Sequence, residues 1–271
     1  PFTILSENIN CKGISQLVKV IKENINQDYD GIIVCHGTDT VMYSASALSY
    51  AFGGNSIPIM IASSNYILDD ARANGLDNFK YSVKFIVDKC GKGVYVTYKN
   101  KDGITRVHRA SRVVQHLPYS DDIYSIYDMD YGQFNNKDEF IKNSNYIAQE
   151  DEIDVLCPGE SHWSSGVLRI IPYPGFRYPK IEETTKAILH ETYHSGTICS
   201  ETPEIEKFIK SANEKNIPIY LAGANNEADY ESASFFIDNN IKILSQASPV
   251  SMYIKLWLSI SNNLPTDKIM E

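Results

Sequence analysis

The feature that most constrains this chain is an alternation of short apolar runs with longer segments that carry apolar residues at helical spacing. "ISQLVKVIKENI" (14–25), "DTVMYSASALSYAF" (39–52) and "LDNFKYSVKFIVDKC" (76–90) read as helices. Between and after them lie "GIIVC" (31–35), "IPIMIAS" (57–63) and "GVYVTY" (93–98), short runs of the kind that form strands buried on both faces. Strands alternating with helices predict a parallel α/β sheet. "ITRVHRASRVV" (104–114) is expected to add an antiparallel partner to the last of these strands.

The pattern stops near 127 and restarts near 166. Residues 127 to 152 are polar and weakly patterned, and the linker is placed at 136–152. It separates an N-terminal domain (1–135) from a C-terminal α/β domain (153–271). In the latter, strands are expected at 166–174 and 217–223. Helices are expected at 202–216, with Thr202 as N-cap and Pro203 in first position, at 230–240, and at 248–261 behind Ser248 and Pro249.

A net charge of -9 with no basic run argues against a nucleic-acid partner. No apolar stretch is long enough to span a bilayer. The five cysteines are dispersed and include no CxxC pair, which points to reduced thiols and a cytoplasmic location. The chain opens on Pro1 without a Met, which reads as a fragment or processed product with further sequence expected upstream.

Two stretches invite a chemical reading. His190-Glu191-Thr192-Tyr193-His194 matches H-E-x-x-H, which binds zinc only when both histidines share one helix face. Here the match follows "KAIL" and runs into Ser195-Gly196, where a helix would be interrupted one turn after it began. The expectation is a strand with an exit loop and no bound metal. The second stretch is "DGIIVCHGTDTVMYSASALS" (30–49). A buried strand ends at Cys35, turns through His36-Gly37, and places Thr38 and Asp39 at the start of a helix. Ligands of open α/β sheets bind outside the carboxyl ends of the strands. A hydroxyl and a carboxylate there point into that crevice, the helix N-terminus favours an anion nearby, and either residue could also cap the helix.

"CHGTDT" resembles the second signature of the bacterial-type (type I) L-asparaginase family. That family includes glutaminase-asparaginases and the asparaginase-like subunit of the archaeal Glu-tRNA(Gln) amidotransferase. "ILSENI" (4–9), "IPIMIASSNYILDDARANGLDNF" (57–79), "RIIPYPG" (169–175) and "SPVSMYIKLWL" (248–258) resemble further segments of it. The resemblance implies a flavodoxin-like parallel-sheet N-terminal domain and a smaller α/β C-terminal domain. It implies homo-oligomers, tetramers of intimate dimers with shared sites, and no metal or cofactor. Ser6 and Glu7 match positions that hold the substrate's α-carboxylate and α-amino groups. Thr38 matches a catalytic Thr, and Asp39 the acid that holds the α-ammonium. Ser64 matches a small residue whose backbone faces the scissile amide, and Ser200 falls near a position that reaches a neighbouring protomer's site.

Two departures stand out. The family's primary nucleophile is a Thr in a Gly-Gly-Thr-Ile-like loop, and no such loop occurs in these 271 residues. The family's Lys, which completes a Thr-Lys-Asp arrangement, is matched by Gln115, whose amide cannot take up a proton at neutral pH. His116 is adjacent, but in a strand it would face the other way. The expected activity is hydrolysis of the side-chain amide of L-asparagine, or of a related small-molecule amino-acid amide, to the acid and ammonia. The alternative is a catalytically impaired amino-acid-binding homologue.

Overall fold

The computed structural model describes residues 2–147, 156–159, 164–224, 231–244 and 247–270, the side chains of 231–233 excepted. The chain divides into two compact units, Pro1–Trp163 and Ser164–Glu271.

In the first unit, α1 (Cys11–Asn24) buries Cys11, Ile14, Val18 and Ile21 on one stripe. It begins three residues earlier than the apolar spacing predicts, because the Asn10 side chain accepts the Gly13 N–H at 3.1 Å and caps the first turn. Next come β1 (Ile32–Cys35), α2 (Val41–Phe52), β2 (Pro58–Ala62), α3 (Gly75–Val87) and β3 (Gly93–Lys99). The three strands pair in parallel, with Ile33 beside Met60 and Ala62 beside Thr97. Every residue of β2 is buried, which is why its sequence is apolar without alternation. β1 is only half-buried, because it forms the sheet edge.

β4 (Thr105–Arg109) runs antiparallel to β3, as predicted. Two more antiparallel strands, β5 (Gly132–Phe134) and β6 (Phe140–Lys142), extend the sheet in the order β1-β2-β3-β4-β5-β6. β6 falls within the stretch expected as linker, of which 148–152 lie outside the described residues. The strand pattern there is masked by polar outward positions, yet Phe134 and Phe140 anchor it against the Phe85, Tyr95 and Tyr131 cluster. The Asn135 side chain closes the hairpin by accepting the N–H groups of Lys137 and Glu139.

The second unit contains β7 (Val167–Ile170), β8 (Ala187–Glu191), α4 (Pro203–Glu214), β9 (Ile219–Ala222), α5 (Glu231–Asp238), β10 (Lys242–Ile243), α6 (Pro249–Ser261) and α7 (Thr266–Met270). Its sheet is wholly parallel, ordered β10-β9-β8-β7. Ile188 and Leu221 pack with Ile205, Phe208 and Ile209 of α4. The intervening Leu189, Tyr220 and Ala222 pack with Met252 and Leu256 of α6. Alternate residues thus serve opposite helices, and both strands read as unbroken apolar runs. Thr202 holds the N-cap position of α4, but its side chain makes no capping bond.

One buried group makes the fold sensitive to acid. His108 on β4 is 1% exposed and shares a 2.9 Å hydrogen bond with the Ser125 hydroxyl. Burial, assisted by the Arg106 charge, pushes its pKa down from 6.5 to about 3. Below the unfolded value of 6.5, the unfolded chain takes up a proton that the folded chain refuses. Stability is therefore lost as pH falls through this window, by up to ~1.4 kcal/mol per pH unit from this group. Burial also lowers the pKa values of His36, His116 and His190, so they act with the same sign. Urea midpoints at pH 7, 6 and 5 should fall more steeply in the parent protein than in His108→Asn. Parallel slopes would contradict the assignment.

Candidate active site

The loop after β1 is set by its neighbours. The His36 N–H donates to the Ala62 carbonyl at 2.9 Å and prolongs the parallel ladder by one step. The ring is fixed at both nitrogens. Nδ1 lies 2.7 Å from the Gly37 carbonyl, which can only accept, so Nδ1 carries the proton. Nε2 then accepts from Ser44 Oγ of α2 at 2.8 Å. Burial lowers the pKa of this imidazole, and hydrogen bonding to Gly37 and the charge of Asp39 oppose that shift.

Beyond Gly37 the chain meets Ser6, which sits in a short 3-10 turn, Ser6–Asn8. Ser6 is held at both ends. Its hydroxyl donates to Asp39 Oδ2 at 2.5 Å, and its carbonyl accepts from Thr40 Oγ1 at 2.8 Å. These contacts replace the helix cap that sequence spacing allowed for Thr38 or Asp39. The N-cap position belongs to Thr40, whose side chain makes no capping bond because its hydroxyl is turned to Ser6. Asp39 is exposed and Thr38 half-buried. Glu7 lies in the same 3-10 turn and is exposed.

Gly37 is required by this packing. A Cβ at residue 37 would overlap Ser6 Oγ and lie 2.7 Å from Ser6 Cβ. The glycine thus permits the approach that brings Ser6 to Asp39.

Ser64 follows β2. Its hydroxyl donates to the Tyr66 carbonyl at 2.6 Å, and Gly75 packs against it so closely that a Cβ there would lie 2.7 Å away. Three asparagines that sequence reasoning did not single out hold this loop. Asn74 and Asn65 exchange backbone-to-side-chain hydrogen bonds at 3.0 Å each. The buried Asn78 donates to the Ser63 carbonyl and accepts the Lys99 N–H, both at 2.7 Å. They tie the exit of β2 to the end of β3. The readable signal was Asn78, an amide one turn inside an amphipathic helix where helix propensity gives no reason for it; Asn74 stands at the N-cap position, which favours Asn, but makes no capping bond.

Gln115 and His116 do not lie in a strand. Regular pairing ends before them, at the Val113–Ser125 bridge and a 3.0 Å bond from Val114 N–H to the Tyr124 carbonyl. Strand alternation therefore does not force the two side chains onto opposite faces. Gln115 is exposed, whereas the His116 ring is turned inward, edge-on to Tyr98 with centroids 6.2 Å apart.

In the second unit, His190 and Glu191 are the last residues of β8, and His194 is exposed in the loop beyond. His190 is buried, 2.9 Å from Tyr178 Oη, and Glu191 pairs with Arg169 at 2.6 Å. The H-E-x-x-H spacing is not presented from one helix face. Among the described residues no group of three or more His, Cys, Asp or Glu is placed to hold a metal ion. Ser200 is half-buried in the loop that precedes α4.

Comparison with known proteins adds to this geometry. The family model described as "Asparaginase, N-terminal" matches residues 1–140. A glutamyl-tRNA(Gln) amidotransferase subunit from Sulfurisphaera tokodaii is 25% identical over 281 residues, covering 99% of this chain and 61% of that protein. Its namesake from Methanococcus maripaludis strain C7 is 28% identical over 227 residues, covering 80% of this chain and 53% of its own length. The chain thus spans 53% to 61% of the length of these curated relatives. Among solved structures, the thermostable L-asparaginase from Thermococcus kodakarensis superposes with a TM-score of 0.80 at 20% identity, over 100% of this chain and 81% of that one. L-asparaginase I from Vibrio cholerae gives 0.76 at 21% identity, over 98% and 80%. These structural matches establish a shared fold.

Proposed function

Because the chain belongs to the asparaginase family, we propose that it is an amidohydrolase acting on the side-chain amide of L-asparagine or a related amino-acid amide, giving the acid and ammonia. The observation that carries this reading is the contact between Ser6 and Asp39, residues distant in sequence that meet at the carboxyl end of a parallel strand. An amino-acid substrate is a zwitterion. Asp39 supplies the negative charge for its ammonium, Ser6 and Glu7 the groups that meet its carboxylate and amine, and Ser64 lines the amide. Thr38 contributes a hydroxyl for proton transfer. Attack by a Thr hydroxyl gives an acyl-enzyme, ammonia departs, and water releases the acid.

The attacking Thr that family resemblance implies has no counterpart loop among these residues. The outer edge of β1 offers a place for a strand that would carry it. Among the described residues nothing pairs with that edge, and it lies beside the Thr38–Asp39 loop.

A second reading draws on the amidotransferase names of the curated relatives. In it the ammonia is passed to an acceptor instead of released. Ammonia release from a panel of L-asparagine, L-glutamine and their analogues tests the proposal. Binding without release from any of them would favour the impaired amino-acid-binding alternative.

The same reading predicts a homo-oligomer, an intimate dimer or a tetramer of such dimers, with cytoplasmic residence. Among the described residues no helix is long and apolar enough to cross a membrane. Light scattering at micromolar concentration should give a mass at least twice that of the chain. A strictly monomeric species would count against shared sites.

A further inference from the structure

We propose that His36 and Ser44 are positioning residues of the HGTDT loop, locking the Gly37–Thr38 peptide and so setting where the Thr38 hydroxyl stands. The inference rests on the amide-hydrolysing reading above, in which that hydroxyl takes part in proton transfer. The loop needs such a lock. Gly37 lets Ser6 approach, but a glycine leaves its own backbone freer than any other residue does. Thr38 adds no anchor, since among the described residues it makes no hydrogen bond of its own. Asp39 is held separately, through the Ser6 hydroxyl.

His36 supplies the anchor. Its N–H is fixed to the Ala62 carbonyl of β2, and its Nδ1–H holds the Gly37 carbonyl at 2.7 Å. The Gly37–Thr38 peptide is trans and planar, so holding its carbonyl toward the ring turns the Thr38 N–H away from it. Thr38 is β-branched with a restricted χ1, and its hydroxyl follows the backbone so fixed.

Ser44 holds the ring in turn. Its hydroxyl, fully buried on α2, donates to Nε2 at 2.8 Å, which pins the second edge of the imidazole and keeps the proton on Nδ1. Ser15, Ser46, Ser82 and Ser259 each donate to the carbonyl four residues before them, the usual outlet for a helix serine. The bond from Ser44 instead leaves its helix and reaches the loop after β1. Burial lowers the pKa of the ring, so it is neutral at neutral pH and Nε2 can accept.

Turnover and NMR on the intact protein test this. Ser44→Ala should lower kcat for ammonia release about tenfold with KM within about threefold, because Asp39 and Ser6 keep their own bond. His36→Leu, which loses both links, should lower kcat about a hundredfold. His36→Asn can still donate to the Gly37 carbonyl from its side-chain amide and should recover about tenfold of that loss. A residue that only filled space would be replaced as well by leucine as by asparagine. Equal kcat in those two variants, or parent-like kcat in Ser44→Ala, would overturn the inference. The ring gives a second readout. Its nitrogen NMR signals should show a single Nδ1–H tautomer in the parent and a mixture of tautomers in Ser44→Ala. An Nε2–H or mixed tautomer in the parent would also overturn the inference. If the parent releases no ammonia while the tautomers behave as expected, the amide-hydrolysing reading fails and the lock on the Gly37–Thr38 peptide stands.

Discussion

Replacing Asp39 with alanine should weaken binding of L-asparagine by roughly ten- to a hundredfold. Asp39 is the carboxylate of the HGTDT loop, and its Oδ2 already organises the Ser6 hydroxyl at 2.5 Å. A charge-assisted hydrogen bond to a substrate ammonium contributes about 1.5–3 kcal/mol, and that sets the expected range. The loop itself should survive the change, because Thr40 Oγ1 still donates to the Ser6 carbonyl and His36 still holds the Gly37 carbonyl. Calorimetric titration with L-asparagine or L-aspartate reads the effect directly. Thr38→Ala should behave differently, lowering turnover more than affinity, because the role proposed for it is proton transfer rather than charge pairing. Unchanged affinity in Asp39→Ala would remove the basis for assigning Ser6, Glu7, Thr38 and Asp39 to one site.

What the sequence disclosed and what it hid follow from the range of the interactions concerned. β2 and β3 were legible because strands buried on both faces must be apolar throughout, and that requirement is local. The strand character of His190 and Glu191 was legible for a similar reason, since Gly196 stands too close for a helix. The partner of Asp39 was not legible. Local spacing allowed a helix cap, and the carboxylate instead meets a hydroxyl 33 residues away. The hairpin of β5 and β6 was missed because its outward residues are polar and only two phenylalanines reveal its buried side. The conformation at Gln115 and His116 was misjudged because pairing stops at Val113, a boundary fixed by contact with Ser125 rather than by any residue in the segment itself. Sequence pattern thus located the loop after β1 and the elements around it. The contacts that give each side chain its orientation are tertiary and had to be seen.

Gly37→Ala should reduce amino-acid affinity by about a hundredfold or more while leaving the fold cooperative. The added Cβ would lie 2.7 Å from Ser6 Cβ, a separation that side-chain rotation cannot relieve, because Cβ does not move with χ1. The backbone of the 3-10 turn must therefore shift, and Ser6 is the residue it carries. That shift breaks the hydroxyl bond to Asp39 and the Thr40 bond to the Ser6 carbonyl together, so Ser6 and Asp39, both proposed to bind the ligand, lose their setting at once. The combined loss exceeds that of a single charge-assisted contact, which is why the expected effect lies at or above the upper end of the range for Asp39→Ala. The change lies in an exposed loop position that is not part of the Phe85 cluster of the first unit. Gly54→Ala is the matched control, since a Cβ there meets nothing within 4 Å. Both variants should unfold near the parent's urea midpoint, and only Gly37→Ala should lose binding. Equal affinity in the two would mean that the approach of Ser6 to the HGTDT loop plays no part in recognition.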